Sequence, residues 1–325
     1  MIDRIFRPTR RRAMGMFGAA FILPQSVHSD TLVGISGSAF GTTWSAVGPP
    51  RQDLERLRPE IEALFSAIDR QMSPWRADSQ ISQFNAMRAG WLAQDPEMIH
   101  VTAAALELAN ASGGAFDPTV GPLVAQWGFG PIEGSTLPDW RAISLRTDGI
   151  GKARDDLTLD LCGIAKGRAL DRAVDLARNA GLNNLLFDLG GEFTALGQHP
   201  SGRPWHVAVQ HPLTNQPAPA TLKLSDDWAV ATSGLQSQSY ELAQHVYGHI
   251  IDTKTRAPAD SGLLSVTVVA KDAMTADGWA TALFAAGLTD GQTLANDLGM
   301  SALFLVRDGT GVLPVKTGAI EMMFL

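Results

Sequence analysis

The chain has 325 residues, enough for two domains or one large one, and its 45% hydrophobic and 18% charged residues are those of a globular protein. Residues 1–29 hold five Arg and one Asp, so the remainder carries 21 basic against 32 acidic residues, net −11, which argues against a nucleic-acid binder. The single cysteine, Cys162, allows neither an intrachain disulfide nor a cysteine-based zinc site and is expected to be buried and inert.

The N-terminus reads as an export signal. Thr9-Arg-Arg-Arg12 precedes the apolar run Ala13–Leu23, and Pro24 and polar residues follow, with a cleavage zone near Val27-His-Ser29. The paired arginines point to the twin-arginine route rather than the general secretory one. Residues 1–29 are therefore expected to direct the protein to the periplasm and residues 30–325 to form the working domain. An uncleaved signal would instead tether the chain to the membrane. Beyond it, no run of about 18 apolar residues announces a transmembrane helix.

Taken in order, Leu32–Phe40 and Thr42–Val47 alternate as two strands. Leu54, Leu57, Ile61, Leu64, Phe65, Ile68 and Met72 then recur at helical spacing, and Pro74 ends that helix. Ser73–Asn85 reads as a polar loop. Asp95 and Pro96 open a helix that runs to about Ser112 and stops at Gly113-Gly114. Ala115–Gly130 looks irregular, and 131–156 looks like a surface excursion. Strands are expected at Leu157–Leu161, Asn184–Asp188, Phe193–Leu196, Trp205–Gln210, Thr221–Leu224, Ala229–Thr232, Val246–Ile251 and Ser265–Ala270, with a helix following Gly163. Two more helices, 274–287 and 289–298, precede a hairpin of Ala302–Val306 and Val312–Val315 over Asp308-Gly309. Strands outnumber helices and several are joined by short turns, which defines an α+β class with mixed or antiparallel sheets and packed helices.

Several stretches can carry chemistry. In Met274-Thr-Ala-Asp-Gly-Trp-Ala-Thr-Ala-Leu-Phe-Ala-Ala-Gly287, Asp277 and Thr281 lie four residues apart, stacked on one helix face. A carboxylate and a hydroxyl so placed are hard oxygen ligands suited to Mg²⁺. Alone, such a pair is more commonly an Asp that caps or decorates a helix start with the threonine bonded back to a carbonyl. Leu159-Asp-Leu-Cys-Gly-Ile-Ala-Lys-Gly-Arg-Ala-Leu-Asp171 is a strand, a tight turn and a helix start. There Gly163 could offer a carbonyl to a metal, Lys166 could hold a phosphate at a helix N-terminus, and Asp160 could either cap the helix or line a site. Gly113-Gly-Ala-Phe-Asp-Pro-Thr-Val-Gly-Pro122 could fix Phe116 and Asp117 against a ring, or be an ordinary capped turn. His249 sits beside a strand, placed either for proton transfer or without a role.

The segments FGTTW (40–44), MSPWRADSQISQFN (72–85), GGAFDPTVGPLVAQWGFG (113–130), LDLCGIAKGRALD (159–171), DLGGE (188–192), ATSG (231–234), HIID (249–252) and MTADGWATALFAAG (274–287) occur in this order. Together they resemble the ApbE family of FAD:protein FMN transferases. The resemblance covers roughly residues 38–290 and implies a T-fold-like architecture with the FAD site in a cleft between two halves. It implies Mg²⁺-dependent transfer of FMN from FAD to a threonine hydroxyl of an acceptor flavoprotein, with release of AMP. Family acceptors are often membrane-associated redox subunits. Carried over position by position, Asp277, Thr281 and the carbonyl of Gly163 match the metal ligands. Phe40, Trp75, Ala115, Phe116, Asp117, Asp160, Lys166 and Ile251 match positions lining the FAD site, and His249 matches a histidine that helps deprotonate the acceptor threonine. Two other outcomes share the same pocket: hydrolysis of FAD to FMN and AMP, and an FAD-binding protein without turnover. Thr253 stands where the family commonly has Pro and is expected to loosen that turn.

Overall fold

The computed structural model describes residues 32–50, 53–213, 215–225, 227–242 and 245–325. The expected export signal lies outside them.

Strands β1 (Val33–Ala39) and β2 (Thr42–Gly48) open the chain. Phe40 and Gly41 turn between them with φ of 51° and 76°, the left-handed pair that matches the twist of a two-residue hairpin. Helix α1 (Leu57–Met72) buries Leu57, Ile61, Phe65, Ile68 and Met72, the stripe expected from spacing. The supposed polar loop contains helix α2 (Gln80–Ala86). Ser79 caps it by accepting the Ser82 N–H at 3.2 Å, and Ile81 and Phe84 bury its short apolar face.

Strand β3 (Gly90–Ala93), α3 (Pro96–Ala111), α4 (Gly121–Gln126), β4 (Ile143–Arg146) and β5 (Gly149–Lys152) follow. The stretches expected to be irregular or a surface excursion therefore hold a helix and two strands of a three-stranded sheet ordered β3-β5-β4. Glycines hid β5: a Cβ at Gly151 would lie 2.9 Å from the Trp91 ring, so the strand must lack side chains where Trp91 crosses it. Leu157–Leu161 is not a ladder strand. Its three leucines are buried, but its backbone is partnered by the Asn85 side chain, which accepts from Leu159 N–H at 2.7 Å and donates to Leu159 O at 2.9 Å.

The second half contributes α5 (Ala165–Asn179), β6 (Leu185–Leu189), β7 (Glu192–Leu196), β8 (Trp205–Val209), β9 (Ala220–Leu224) and β10 (Ala229–Gly234). Then come β11 (Ser239–Leu242), β12 (His245–Gly248), β13 (Ile251–Asp252), β14 (Ala257–Pro258), β15 (Leu263–Ala270), α6 (Ala273–Asp297), β16 (Ser301–Asp308) and β17 (Gly311–Thr317). The expected continuous strand at 246–251 is broken at His249 and Ile250. Helix α6 is interrupted at Gly287, where φ is 77° and ψ 179°, so the two helices read from the sequence meet end to end at a kink.

Eight strands form one antiparallel sheet in the order β1-β2-β6-β7-β10-β15-β16-β17. Alternate residues of its centre serve two cores, as the pleat requires. Val266, Val268 and Phe304 pack with Ala280, Leu283 and Phe284 of α6. Val269, Leu303 and Leu305 face Trp205, Val207 and Leu222 of the β8–β9 hairpin. A third core joins α1, α3 and α5 to β2 and β6. Among the described residues no helix is long and apolar enough to cross a membrane.

Candidate active site

The site is built where α5 meets α6. Gly167, in the first turn of α5, has no room for a side chain, since a Cβ there would lie 2.2 Å from the Ala273 carbonyl oxygen. This contact brings the N-terminus of α6 onto α5. Asp171 of α5 accepts the Ala273 and Met274 N–H groups at 2.7 and 3.0 Å, and Asp272 accepts that of Thr275 at 2.7 Å. Burial lifts the Asp171 carboxyl to about 7 even though those two N–H donors favour its anion.

One turn into α6, Asp277 is 4% exposed and its Oδ2 accepts the Gly167 N–H at 2.9 Å. Thr281 lies one turn further on the same face. Its hydroxyl donates to the Gly163 carbonyl at 3.4 Å and stands 3.2 Å from Ser233 Oγ at the end of β10. Gly163 is enclosed: a Cβ there would lie 3.1 Å from Thr281 Cγ2 and 3.2 Å from Phe116 Cε2. Gly163, Asp277 and Thr281, expected as ligands, thus lie together, two of them on α6 and one in the turn before α5, with Phe116 against Gly163.

Lys166, in the first turn of α5, pairs with Glu192 Oε1. Burial opposes its charge, but Glu192 and Asp277 outweigh burial and hold the ammonium above its ordinary range. Burial pushes the Glu192 and Asp277 carboxyls upward, each also feeling the Lys166 charge. Glu192 is 3% exposed, and its Oε2 has no hydrogen-bond partner. The Gly190-Gly191 turn, with φ of 65° and 100°, sets Glu192 in register with Leu189 and carries Asp188, whose Oδ1 accepts the Gly191 N–H at 2.9 Å. Asp188 is also pushed upward by burial. A hidden group with more carboxylates than cations favours a bound cation.

His249 occupies the break between β12 and β13. Its Nδ1 lies 3.1 Å from the Gln238 carbonyl oxygen, so Nδ1 carries the hydrogen and Nε2 keeps its lone pair. Burial lowers its pKa to about 4, with the Lys166 charge acting in the same direction, so the ring is neutral at pH 7.

A cleft is lined by Gly113, Gly114, Asp117, Trp140, Arg141 and Arg256, and its 113–117 loop carries Phe116, which meets Gly163. Asp117 Oδ1 accepts from the Thr119 N–H and hydroxyl at 2.8 and 2.6 Å, and burial raises its carboxyl. Ala115 stands between Gly114 and Phe116 in this loop. Ile251 is buried in β13 and paired with Pro258. Thr253 does not loosen its turn. Its hydroxyl donates to the Gly114 carbonyl at 2.7 Å and ties the end of β13 to the 113–117 loop. Asp160 Oδ1 accepts the Cys162 N–H at 3.0 Å and shapes the turn into α5. Cys162 itself is exposed, contrary to expectation, because the turn that aims Gly163 inward aims its neighbour outward.

Phe40 and Trp75 stand apart from this bonded network. Phe40 packs on Phe65 at 5.5 Å between ring centres, and Trp75 is 55% exposed beyond α1. Glu192, Ser233 and Asp171 were not singled out from the sequence as site residues. For Glu192 the available signal was a lone carboxylate directly after a Gly-Gly turn that closes a buried strand.

Among the described residues no three His, Cys, Asp or Glu side chains gather as a metal site. A site of one carboxylate, one hydroxyl and one carbonyl is of a different kind, and the oxygen donors at Asp277, Thr281 and Gly163 suit a hard cation.

An antiparallel α+β fold that gathers buried carboxylates, one lysine and three oxygen donors where α5 meets α6 is the frame of a site suited to a hard cation. The match over residues 40–304 to the model of the ApbE family makes the chain a member of that family. It is 34% identical over 299 residues to the FAD:protein FMN transferase of Vibrio cholerae serotype O1, covering 86% of this chain and 89% of that one. It is 32% identical over 309 residues to the Klebsiella pneumoniae protein of the same name, covering 89% and 88%. The apo crystal structure of the Pseudomonas stutzeri flavinyl transferase ApbE superposes with a TM-score of 0.81 at 30% identity, covering 92% of this chain and 99% of that one.

Proposed function

We propose that this enzyme transfers FMN from FAD to a threonine hydroxyl of an acceptor flavoprotein, forming a phosphoester and releasing AMP. The observation that carries the reading is the convergence of the Gly163 carbonyl, Thr281 hydroxyl and Asp277 carboxylate beside Lys166. Those three groups would hold Mg²⁺, which would neutralise diphosphate charge and favour loss of AMP. The unpartnered Glu192 Oε2 and the burial-raised carboxyls support a cation there.

The chain's own residues supply the rest. Lys166, held cationic, faces the phosphates. His249 receives the threonine proton at Nε2 as the threonine oxygen bonds to the FMN phosphorus. The bond from that phosphorus to the bridging oxygen breaks, and the oxygen leaves with AMP. Such a transfer asks for positioning and charge neutralisation more than covalent help from the protein. The 113–117 loop, with Asp117 beside Trp140, lines the cleft for FAD. The relatives' names favour transfer to protein over hydrolysis or simple carriage. The export signal expected in residues 1–29 would place the enzyme in the periplasm, an address that suits a membrane-associated redox subunit as acceptor.

The test combines the enzyme, FAD, Mg²⁺ and a candidate acceptor domain. AMP release matched by one added FMN per acceptor supports transfer. AMP with free FMN, and no gain on any acceptor tried, contradicts it.

A further inference from the structure

His249 ends a ladder of rings. It meets Phe129 edge-on, with ring centres 6.3 Å apart and planes at 64°. Phe129 stacks on Tyr240 at 5.2 Å, Tyr240 on Tyr247 at 5.5 Å, and Tyr247 on Trp127 at 5.6 Å, with interplanar angles between 20° and 27°. Tyr240 and Tyr247 are the only tyrosines of the chain and are directly opposed across the β11–β12 ladder. Trp127 is anchored in turn, since its indole N–H donates to the Arg256 carbonyl at 3.2 Å.

The consequence is mechanical. A two-stranded ribbon is marginal on its own. This one is pinned to the 127–129 segment by ring contacts at both of its tyrosines, Tyr247 on Trp127 and Tyr240 on Phe129. The same ribbon supplies both fixings of the imidazole: Gln238, just before β11, accepts from Nδ1, and Gly248 at the end of β12 carries the chain into His249. Phe129 meets the ring from the 127–129 segment. Removing Phe129 frees the imidazole to turn and to exchange which nitrogen is protonated.

We propose that Phe129, backed by the Tyr240–Tyr247–Trp127 stack, is a positioning residue that holds His249 in its Nδ1–H form with Nε2 presented to the incoming hydroxyl. This rests on His249 acting as the base in the proposed transfer. Phe129 touches the imidazole and nothing in the reaction requires it to touch substrate, so its effect falls on turnover and not on FAD affinity.

The test is nitrogen NMR of the full chain labelled at histidine, with FAD titration and thermal unfolding run alongside. Wild type and Phe129→Tyr give His249 as a single Nδ1–H tautomer. Phe129→Leu, folded and binding FAD as wild type does, gives mixed tautomers. An unchanged tautomer in Phe129→Leu overturns the proposal. With an acceptor on which flavin is placed, Phe129→Leu lowers kcat about tenfold at unchanged KM for FAD, and adds nothing to the loss in His249→Ala. If His249→Ala transfers normally, the base reading fails while the tautomer result still judges Phe129. If His249→Ala is inactive and Phe129→Leu keeps full kcat, the positioning role fails alone.

Discussion

The backbone N–H of Gly167 donates to Asp277 Oδ2 at 2.9 Å, joining two residues 110 positions apart in the chain. The bond exists because Gly167 lets α5 approach α6 to backbone contact. Gly167→Ala would drive its Cβ into the Ala273 carbonyl, which cannot move without unseating the start of α6. The expected cost is about 3 kcal/mol, at the upper end for overpacking, read by denaturant unfolding. Unchanged stability would show that the crossing is looser than described.

Asp277 separates function from stability. Its carboxylate is buried, and burial alone raises its proton affinity. Asp277→Asn keeps the shape and removes the charge. Transfer should fall by about 100-fold or more, the scale of losing one electrostatic contact to the transition state. The unfolding midpoint without Mg²⁺ should equal or exceed that of wild type. A lower midpoint with activity retained would reverse both halves of the assignment.

His249 sets a pH limit. Its pKa is lowered from 6.5 to about 4, chiefly by burial, and the base must be neutral to accept a proton. The ring is therefore active from neutral pH downward until pH falls through about 4, where kcat/KM should drop. Between about 6.5 and 4 the unfolded chain binds this proton and the folded chain does not, so the group's contribution to stability falls as pH falls through that window. An acid limb near 6.5 that disappears in His249→Ala would place the ring in a more open setting.

Thr253 is the simplest structural test. Thr253→Val keeps shape and deletes the hydroxyl bond to the Gly114 carbonyl. A loss of about 1 kcal/mol is expected, together with a several-fold higher KM for FAD, because the 113–117 loop loses its tie to β13. Unchanged KM would detach that loop from the binding cleft.

The helices α1, α3 and α5 were legible because each carries an apolar face at helical spacing and a recognisable stop, whereas α6 is buried nearly all round and reads as two helices on either side of Gly287. Asp277 and Thr281 were legible because helical spacing alone stacks them. Helix α2 was missed because its apolar face is only Ile81 and Phe84. Strand β5 was missed because its glycines answer to Trp91, a contact invisible in local pattern. Leu157–Leu161 was misread because a buried, extended run can be partnered by one Asn side chain instead of a strand. Glu192 escaped notice because its importance lies in facing Lys166, which sits 26 residues away in sequence and meets it only in the fold.

The most direct measurement is FAD binding and AMP release as Mg²⁺ is titrated, wild type against Asp277→Ala. The site described here predicts that Mg²⁺ tightens FAD binding and drives AMP release in wild type, and does neither in the variant. Normal transfer by Asp277→Ala at low Mg²⁺ would contradict the assignment of Asp277, Thr281 and Gly163 as the metal-holding group.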